Sequence, residues 1–134
     1  MASIVDIEGI GPVFQEKLAK AGISTVEGLL KEGAAKKGRV AIAEKSGIDE
    51  GKILDWVNMA DLFRIKGIAS QFAELLKAAG VDTVKELRNR NAANLQAKLE
   101  EVNAEKKLTR VVPSVEKVTD FIDQASKLEP VVTH

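Results

Sequence analysis

The sequence predicts an all-α fold, and three observations support this prediction. No stretch alternates apolar and polar residues for long enough to indicate a β-strand, and the valine- and isoleucine-rich runs typical of parallel sheets are missing. Apolar residues recur at helical spacing, with glycine, proline and capping side chains where helices would begin and end. A helical segment also recurs later in the chain.

The repeat pairs residues 7–30 with residues 65–88, an offset of 58 positions without a gap. Eleven of these 24 positions are identical. Residues 52–57 then match residues 117–122 at a spacing of 65, so the second copy carries about seven extra residues (65 minus 58) near Ala104–Arg110. We interpret the chain as a duplicated helical unit.

The predicted units are residues 1–60 and residues 61–126, followed by a flexible tail at 127–134. Each unit has only four short helices and buries little apolar surface alone. We therefore expect the second unit to pack on the first in one compact helical domain.

In the first copy, Pro12 suits the first turn of a helix, and Gly22 suits the left-handed position just past its end. Ser24 and Glu27 have the spacing of a capping box and open a second short helix. The segment Lys31–Gly38 is interpreted as a loop.

A third helix is predicted from about Arg39 to Lys45, ending at Gly47. Asp49 can cap a fourth helix, whose apolar stripe includes Ile53, Val57 and Ala60. Trp56 on this helix, matched by Phe121, is interpreted as core rather than as a platform for stacking bases.

In the second copy, Asp82 or Thr83 can cap the short helix, and Asn91 can cap the next one. Pro113 and Ser114 open the last helix. Its predicted apolar face consists of Val115, Val118, Ile122 and Ala125.

Composition excludes several functional classes. The chain has no cysteine, which excludes disulfides and thiolate metal sites, and its one histidine is His134. Neither a membrane span nor a secretory leader is apparent, so we expect a cytoplasmic protein without membrane association. Twenty basic and twenty acidic residues cancel, so any nucleic-acid binding must be local. We expect no metal and no cofactor.

One motif carries a chemical meaning. Gly9, Ile10 and Gly11 form a tight turn just before a helix, where backbone N–H groups point outward and the helix dipole adds about half a positive charge. Such a turn can hold a phosphate oxygen without reading sequence. A purely structural role in joining two helices is about as well supported. Ile10 is predicted to be buried.

The Gly-hydrophobic-Gly turn, followed by a short helix ending in Ala21, Gly22 and Ile23, resembles the helix-hairpin-helix superfamily. That resemblance implies sequence-independent contact with nucleic-acid backbones, DNA in preference to RNA, often through paired hairpins. More closely, the chain from about Ile4 to Ala125 resembles the bacterial domain of unknown function 4332 (DUF4332). The segments that carry this likeness are residues 7–12, 42–48, 56–62 and 79–87. DUF4332 implies a fold and no activity.

The second copy departs from the motif. Ala69 and Ser70 replace Gly11 and Pro12, and if the turn needs a left-handed residue at that position, alanine costs about 1–2 kcal/mol. The second hairpin is therefore predicted to be the poorer anion site, although the Ser70 hydroxyl can cap its helix. DNA-binding hairpins of the superfamily commonly carry a basic residue just after the turn, where this chain has Val13 and Gln71.

The candidate contacts with a nucleic-acid backbone comprise the two turns and the basic residues near them. Asp49, Glu50, Asp55 and Asp61 are interpreted as a cap and surface residues rather than metal ligands. For the cluster of Lys31, Lys36, Lys37 and Arg39, a solvated loop is the more common explanation. The candidate residues are Gly9, Ile10, Gly11, Lys17, Lys20, Lys36, Lys37, Arg39, Lys66 and Gly67.

Two functions remain open. One is a non-catalytic module that binds nucleic-acid backbone without sequence specificity. The other is a protein-interaction or assembly module on a hairpin scaffold that has lost nucleic-acid binding. Nothing in the sequence resembles the catalytic additions of helix-hairpin-helix enzymes, so we expect no enzymatic activity. The oligomeric state stays open.

Overall fold

All regular structure in the computed structural model is helical, and residues 2–134 are described. Within these residues no β-strand forms, apart from a single bridge between Ser3 and Thr25. The all-α prediction is confirmed. After a 3-10 turn at Ile4–Asp6, the helices are α1 (Pro12–Lys20), α2 (Val26–Gly33), α3 (Lys36–Ser46), α4 (Glu50–Leu62), α5 (Ser70–Ala78), α6 (Val84–Leu87), α7 (Ala92–Lys106) and α8 (Val115–Lys127).

The chain divides into two units close to the predicted boundary. The first unit extends to Asp61 and also includes Val131–His134, and the second is Leu62–Pro130. Each has its own buried apolar core. In the first unit the core includes Ile4, Leu18, Leu29, Ile53 and Val57; in the second it includes Leu75, Val84, Leu99, Val118 and Phe121.

Several helix boundaries lie where the sequence predicts them. Gly22 and Gly47 take left-handed conformations with φ of +81° and +73° just past α1 and α3. Because glycine has no Cβ, this conformation costs it little. The predicted caps at Thr83, Asn91 and Ser114 each accept a hydrogen bond from the amide three residues on.

The predicted capping box at Ser24 is wrong by one residue. The cap of α2 is Thr25, whose Oγ1 accepts a hydrogen bond from the Gly28 amide at 2.9 Å. Glu27 accepts hydrogen bonds instead from the Ala2 amide at 3.2 and 3.3 Å. Hydrogen bonds from its own backbone and from Ala2 lower the pKa of Glu27.

The predicted loop Lys31–Gly38 is also wrong, because α2 continues to Gly33 and α3 already begins at Lys36. The close approach depends on Gly38, where a Cβ would meet the Glu32 carbonyl oxygen. The loop interpretation failed because glycines that allow close packing look like loop glycines in a sequence.

The last helix buries a face that differs slightly from the predicted one. Val118 and Ala125 are buried as expected. Val115 is 44% exposed, and Phe121, which is not on the predicted face, is buried. Phe121 contacts Phe72, with ring centroids 6.3 Å apart. The aromatic ring therefore anchors α8 in the core of the second unit.

The last residues of the chain, which the sequence predicts to be a flexible tail, make hydrogen bonds within the first unit. The Thr133 amide donates to the Ala34 carbonyl at 2.8 Å. The Thr133 carbonyl accepts from Arg39 Nη2 at 2.6 Å. The segment Val131–His134 is therefore held against the junction of α2 and α3.

Candidate nucleic-acid interface

The first hairpin, residues 7–11, is a tight turn supported by two buried isoleucines. Ile7 and Ile10 are almost fully buried, as predicted for Ile10, and the Ile10 amide donates to the Ile7 carbonyl at 3.1 Å. Gly9 takes φ of +94°, whereas Gly11 takes an extended φ of −95°. The turn therefore needs a left-handed residue at its first glycine and not at its second.

The amides at the start of α1 lack partners within the helix. Gly11 precedes α1 without a side-chain hydrogen bond, and the first helical bond runs from the Gln15 amide to the Gly11 carbonyl at 2.9 Å. The amides of Val13 and Phe14 come before that bond, so no helical carbonyl accepts from them. These donors are available to an oxygen atom of a ligand.

Two lysines place positive charge beside this helix start. The Nζ atoms of Lys17 and Lys52 each lie 5.8 Å from the centre of the Phe14 ring. Phe14 in turn packs edge-on against Trp56, with centroids 5.1 Å apart. Trp56 is buried, as predicted, so Phe14 is held in place by the core and gives both ammonium groups a common aromatic neighbour.

Sequence reasoning missed Lys52, which belongs to α4. The available signal was its place one helical turn before Trp56, because residues four apart share a helix face. Lys20, another candidate, is the last residue of α1, three positions beyond Lys17 and about 12 Å along the helix axis from Pro12.

The second hairpin, residues 65–69, repeats the backbone geometry of the first. Gly67 takes φ of +98°, and the Ile68 amide donates to the Ile65 carbonyl at 3.2 Å. Ala69 has an extended φ of −111°, so the turn does not need a left-handed residue at this position and the penalty for alanine does not arise. The backbone gives no reason to rank the second turn below the first.

Side chains, however, distinguish the two hairpins. Leu75 occupies the position equivalent to Lys17 and is fully buried. Ser70 does not cap α5: the cap position is Ala69, which has no side-chain hydrogen bond. Lys66 is exposed. Its backbone amide donates to Gln124 Oε1 at 2.9 Å, and its carbonyl accepts from Gln124 Nε2 at 3.1 Å.

The remaining candidates lie at the start of α3. Lys36 and Lys37 are exposed in its first turn, but Arg39 is only 2% exposed. Its Nη1 donates to the carbonyls of Gly33 and Ala34 at 2.9 and 3.0 Å. Arg39 therefore does not belong to an exposed basic surface with the two lysines.

A metal-binding cluster is absent from the described part of the chain: residues 2–134 contain no group of three or more acidic, histidine or cysteine side chains placed to hold an ion. Asp49 accepts a hydrogen bond from the Lys52 amide at 3.3 Å and thus caps α4, as predicted. The prediction that Asp61 lies at the surface is wrong, because Asp61 is only 1% exposed. In the same residues, no helix combines the length and apolar character that crossing a bilayer requires.

We expect Gly9→Ala to lower the free energy of unfolding by about 1–2 kcal/mol, because alanine is costly at positive φ. Gly11→Ala should change it by less than about 0.5 kcal/mol, because φ there is extended and a Cβ meets nothing within 4 Å. Urea denaturation of both variants checks the pair. Equal losses would contradict the assignment of the left-handed position.

Comparison with known proteins identifies one family. No curated protein and no solved structure matches the chain. A family model described as "Domain of unknown function (DUF4332)" matches residues 8–128, which is most of the 134-residue chain and includes residues 8–11 of the first hairpin and all of the second. The chain therefore belongs to the DUF4332 family.

Proposed function

We propose that this protein is a non-catalytic helix-hairpin-helix module that binds the nucleic-acid backbone without sequence specificity, DNA in preference to RNA. The observation that carries the proposal is the start of α1, where unpartnered amides lie beside the cluster of Phe14, Lys17 and Lys52. The helix-hairpin-helix assignment rests on the left-handed Gly9 and Gly67 and on the buried Ile10 and Ile68 that follow them.

The chemistry requires no base contact. A phosphate oxygen would accept hydrogen bonds from the Val13 and Phe14 amides, where the helix dipole favours negative charge. Lys17 and Lys52 would neutralise the phosphates on either side of it. Such contacts position a protein on DNA without reading its sequence, and they release counterions from the duplex.

The second hairpin would contribute less to binding. It has the same backbone turn, but the buried Leu75 replaces one of the two lysines. Most of the affinity should therefore come from the first unit, with Lys66 and Gly67 as weaker contacts.

A protein-interaction module is the alternative, and one observation favours it. Val13 is 66% exposed in the first turn of α1, where the resembled DNA-binding hairpins carry a basic residue. An exposed apolar side chain at this place suits a protein partner better than a phosphate. In that case the hairpin would serve only as a scaffold.

A gel-shift titration with single-stranded, duplex and branched DNA at two salt concentrations separates the two functions. The nucleic-acid proposal predicts binding at about 20 mM salt, where screening is weakest, and much weaker binding at about 200 mM. Lack of binding to all three DNAs at the lower salt concentration would overturn it. If the protein-interaction alternative holds, Val13→Lys should not create DNA binding, but it should weaken the binding of the protein partner.

A further inference from the structure

A surface cavity of about 250 Å³ lies in the first unit where α3 and α4 begin. It is separate in sequence from the first hairpin. Lys36 is the first residue of α3, and Glu50 and Gly51 are the first two residues of α4. The lining residues are Lys36, Arg39, Glu50, Gly51, Leu54 and His134.

Arg39 in the wall of this cavity is a buried cation without an anionic partner. Its side chain is 2% exposed, and its three hydrogen bonds go to the neutral carbonyls of Gly33, Ala34 and Thr133. Across residues 2–134 no carboxylate forms an ion pair with it. A guanidinium has five N–H donors, so two remain without an acceptor in this part of the chain.

A buried charge that lacks a counterion is costly. The carbonyls at the end of α2 offset part of this cost, because the C-terminal end of a helix carries partial negative charge. Because these carbonyls carry no full negative charge, Arg39 still lacks a counterion. An anion in the adjacent cavity would supply it.

The two helix starts add to the positive potential of the cavity. The residue before α3 is Ala35, which provides no side-chain hydrogen bond, and the first helical bond is from the Arg39 amide to the Ala35 carbonyl at 3.2 Å. The start of α4 is capped by Asp49. The α3 start is therefore the stronger attraction for an oxyanion.

Glu50 is the one acidic side chain in the cavity wall. A carboxylate repels an anion that carries no proton. It accepts a hydrogen bond, however, from an oxyanion that keeps an O–H group, as phosphate does near neutral pH. This combination favours phosphate over sulfate.

We propose that this cavity binds a phosphate group through Lys36 and Arg39, with Glu50 accepting a hydrogen bond from the phosphate O–H. The site goes beyond the proposed function, because it uses no residue of the first hairpin. Inorganic phosphate and phosphate monoesters keep such an O–H near neutral pH, whereas the phosphodiesters of a nucleic-acid backbone have none, so the ligand is phosphate itself or a small phosphorylated molecule.

The direct test follows the backbone amide signals of the whole chain by NMR while inorganic phosphate is added at constant ionic strength. Phosphate should shift the signals of Lys36–Arg39 and Glu50–Gly51 saturably, and sulfate should bind less tightly. Lys36→Ala should weaken phosphate binding about fivefold or more, corresponding to about 1 kcal/mol. Lys37→Ala is the matched control, because Lys37 is exposed on the same turn but does not line the cavity.

Glu50→Gln tests the selectivity, since it should raise sulfate affinity toward that of phosphate. Equal effects of Lys36→Ala and Lys37→Ala would overturn the proposal. So would the absence of any saturable shift up to about 20 mM phosphate, where a site of Kd near 10 mM would be about two-thirds occupied. Arg39 is kept in all of these variants, because its replacement would also remove its hydrogen bonds to the Thr133 and Gly33 carbonyls.

A second arm separates this site from DNA binding by the first hairpin. Lys36→Ala should weaken phosphate binding and leave duplex DNA binding unchanged, because a phosphodiester has no O–H for Glu50 to accept from. An equal loss of duplex DNA binding would overturn the proposed role of Glu50. Neither result depends on Lys17 or Lys52, so failure here is distinguishable from failure of the proposed function.

Discussion

Gly38→Ala is expected to lower the free energy of unfolding by about 3 kcal/mol or more, at the upper end of what overpacking costs. A Cβ at Gly38 would clash with the Glu32 carbonyl oxygen and lie 3.0 Å from its carbon. These are backbone atoms at the end of α2, so they cannot rotate away as a side chain would. Alanine also gains about 1 kcal/mol of helix propensity over glycine, and the clash exceeds this gain.

Gly51→Ala is the matched control, because Gly51 also lies in the first turn of a helix. A Cβ there would meet only the side-chain oxygen Oδ2 of Asp49, at 2.9 Å, and that side chain can move. Gly51→Ala should therefore change the free energy of unfolding by less than about 1 kcal/mol. Denaturant unfolding followed by circular dichroism measures both variants. Wild-type stability of Gly38→Ala would contradict the close approach of α2 and α3.

Reversal of two charges, Lys17→Glu with Lys52→Glu, is expected to weaken duplex DNA binding more than tenfold at low salt. Both ammonium groups lie beside Phe14, the third residue of α1, so two carboxylates there would repel a phosphate bound at the helix start. The loss of two phosphate contacts removes two counterions from the binding equilibrium, which accounts for the size of the effect. Fluorescence anisotropy with a labelled duplex measures it.

The control for this experiment changes net charge equally at other places. Lys45→Glu with Lys85→Glu alters two exposed lysines, one in the last turn of α3 and one in α6. The affinity should fall only slightly, because long-range charge effects are screened. If both double variants lose affinity equally, total charge rather than the first hairpin controls binding.

Local signals in the sequence predict the all-α class and several helix boundaries of this chain. Gly47 ends α3, Asn91 caps α7 and Ser114 caps α8, because each signal acts within one helical turn of the residue that carries it. The all-α class follows from such signals. The start of α3 was missed because Gly38 is required by contact with Glu32 and not by a turn.

The turn shows the limit of pattern comparison. Gly9 and Gly11 look equivalent in the sequence, and the replacement of Gly11 by Ala69 in the second copy suggested a damaged hairpin. Only backbone angles show that the left-handed residue is the first glycine, which both copies keep. The second glycine has an extended conformation that alanine also adopts.

Long-range packing accounts for the residues that sequence reasoning misplaced. Arg39 stands among lysines in the chain, but its burial depends on Thr133, 94 positions away. Lys52 reaches the first hairpin only because Trp56 on the same helix packs on Phe14. The sequence near Arg39 does not reveal its contact with Thr133, and the spacing of Lys52 from Trp56 does not reveal that Trp56 packs on Phe14, since both contacts join distant parts of the chain.

We propose above that Lys17 and Lys52 contact DNA phosphates beside the free amides of α1. The most direct measurement is the slope of log affinity for duplex DNA against log salt concentration, compared between wild type and the Lys17→Ala, Lys52→Ala double variant. Removal of two contacts should reduce the slope by about 1.8, or 0.9 per phosphate. An unchanged slope, or a wild-type affinity that does not depend on salt, would contradict the claim.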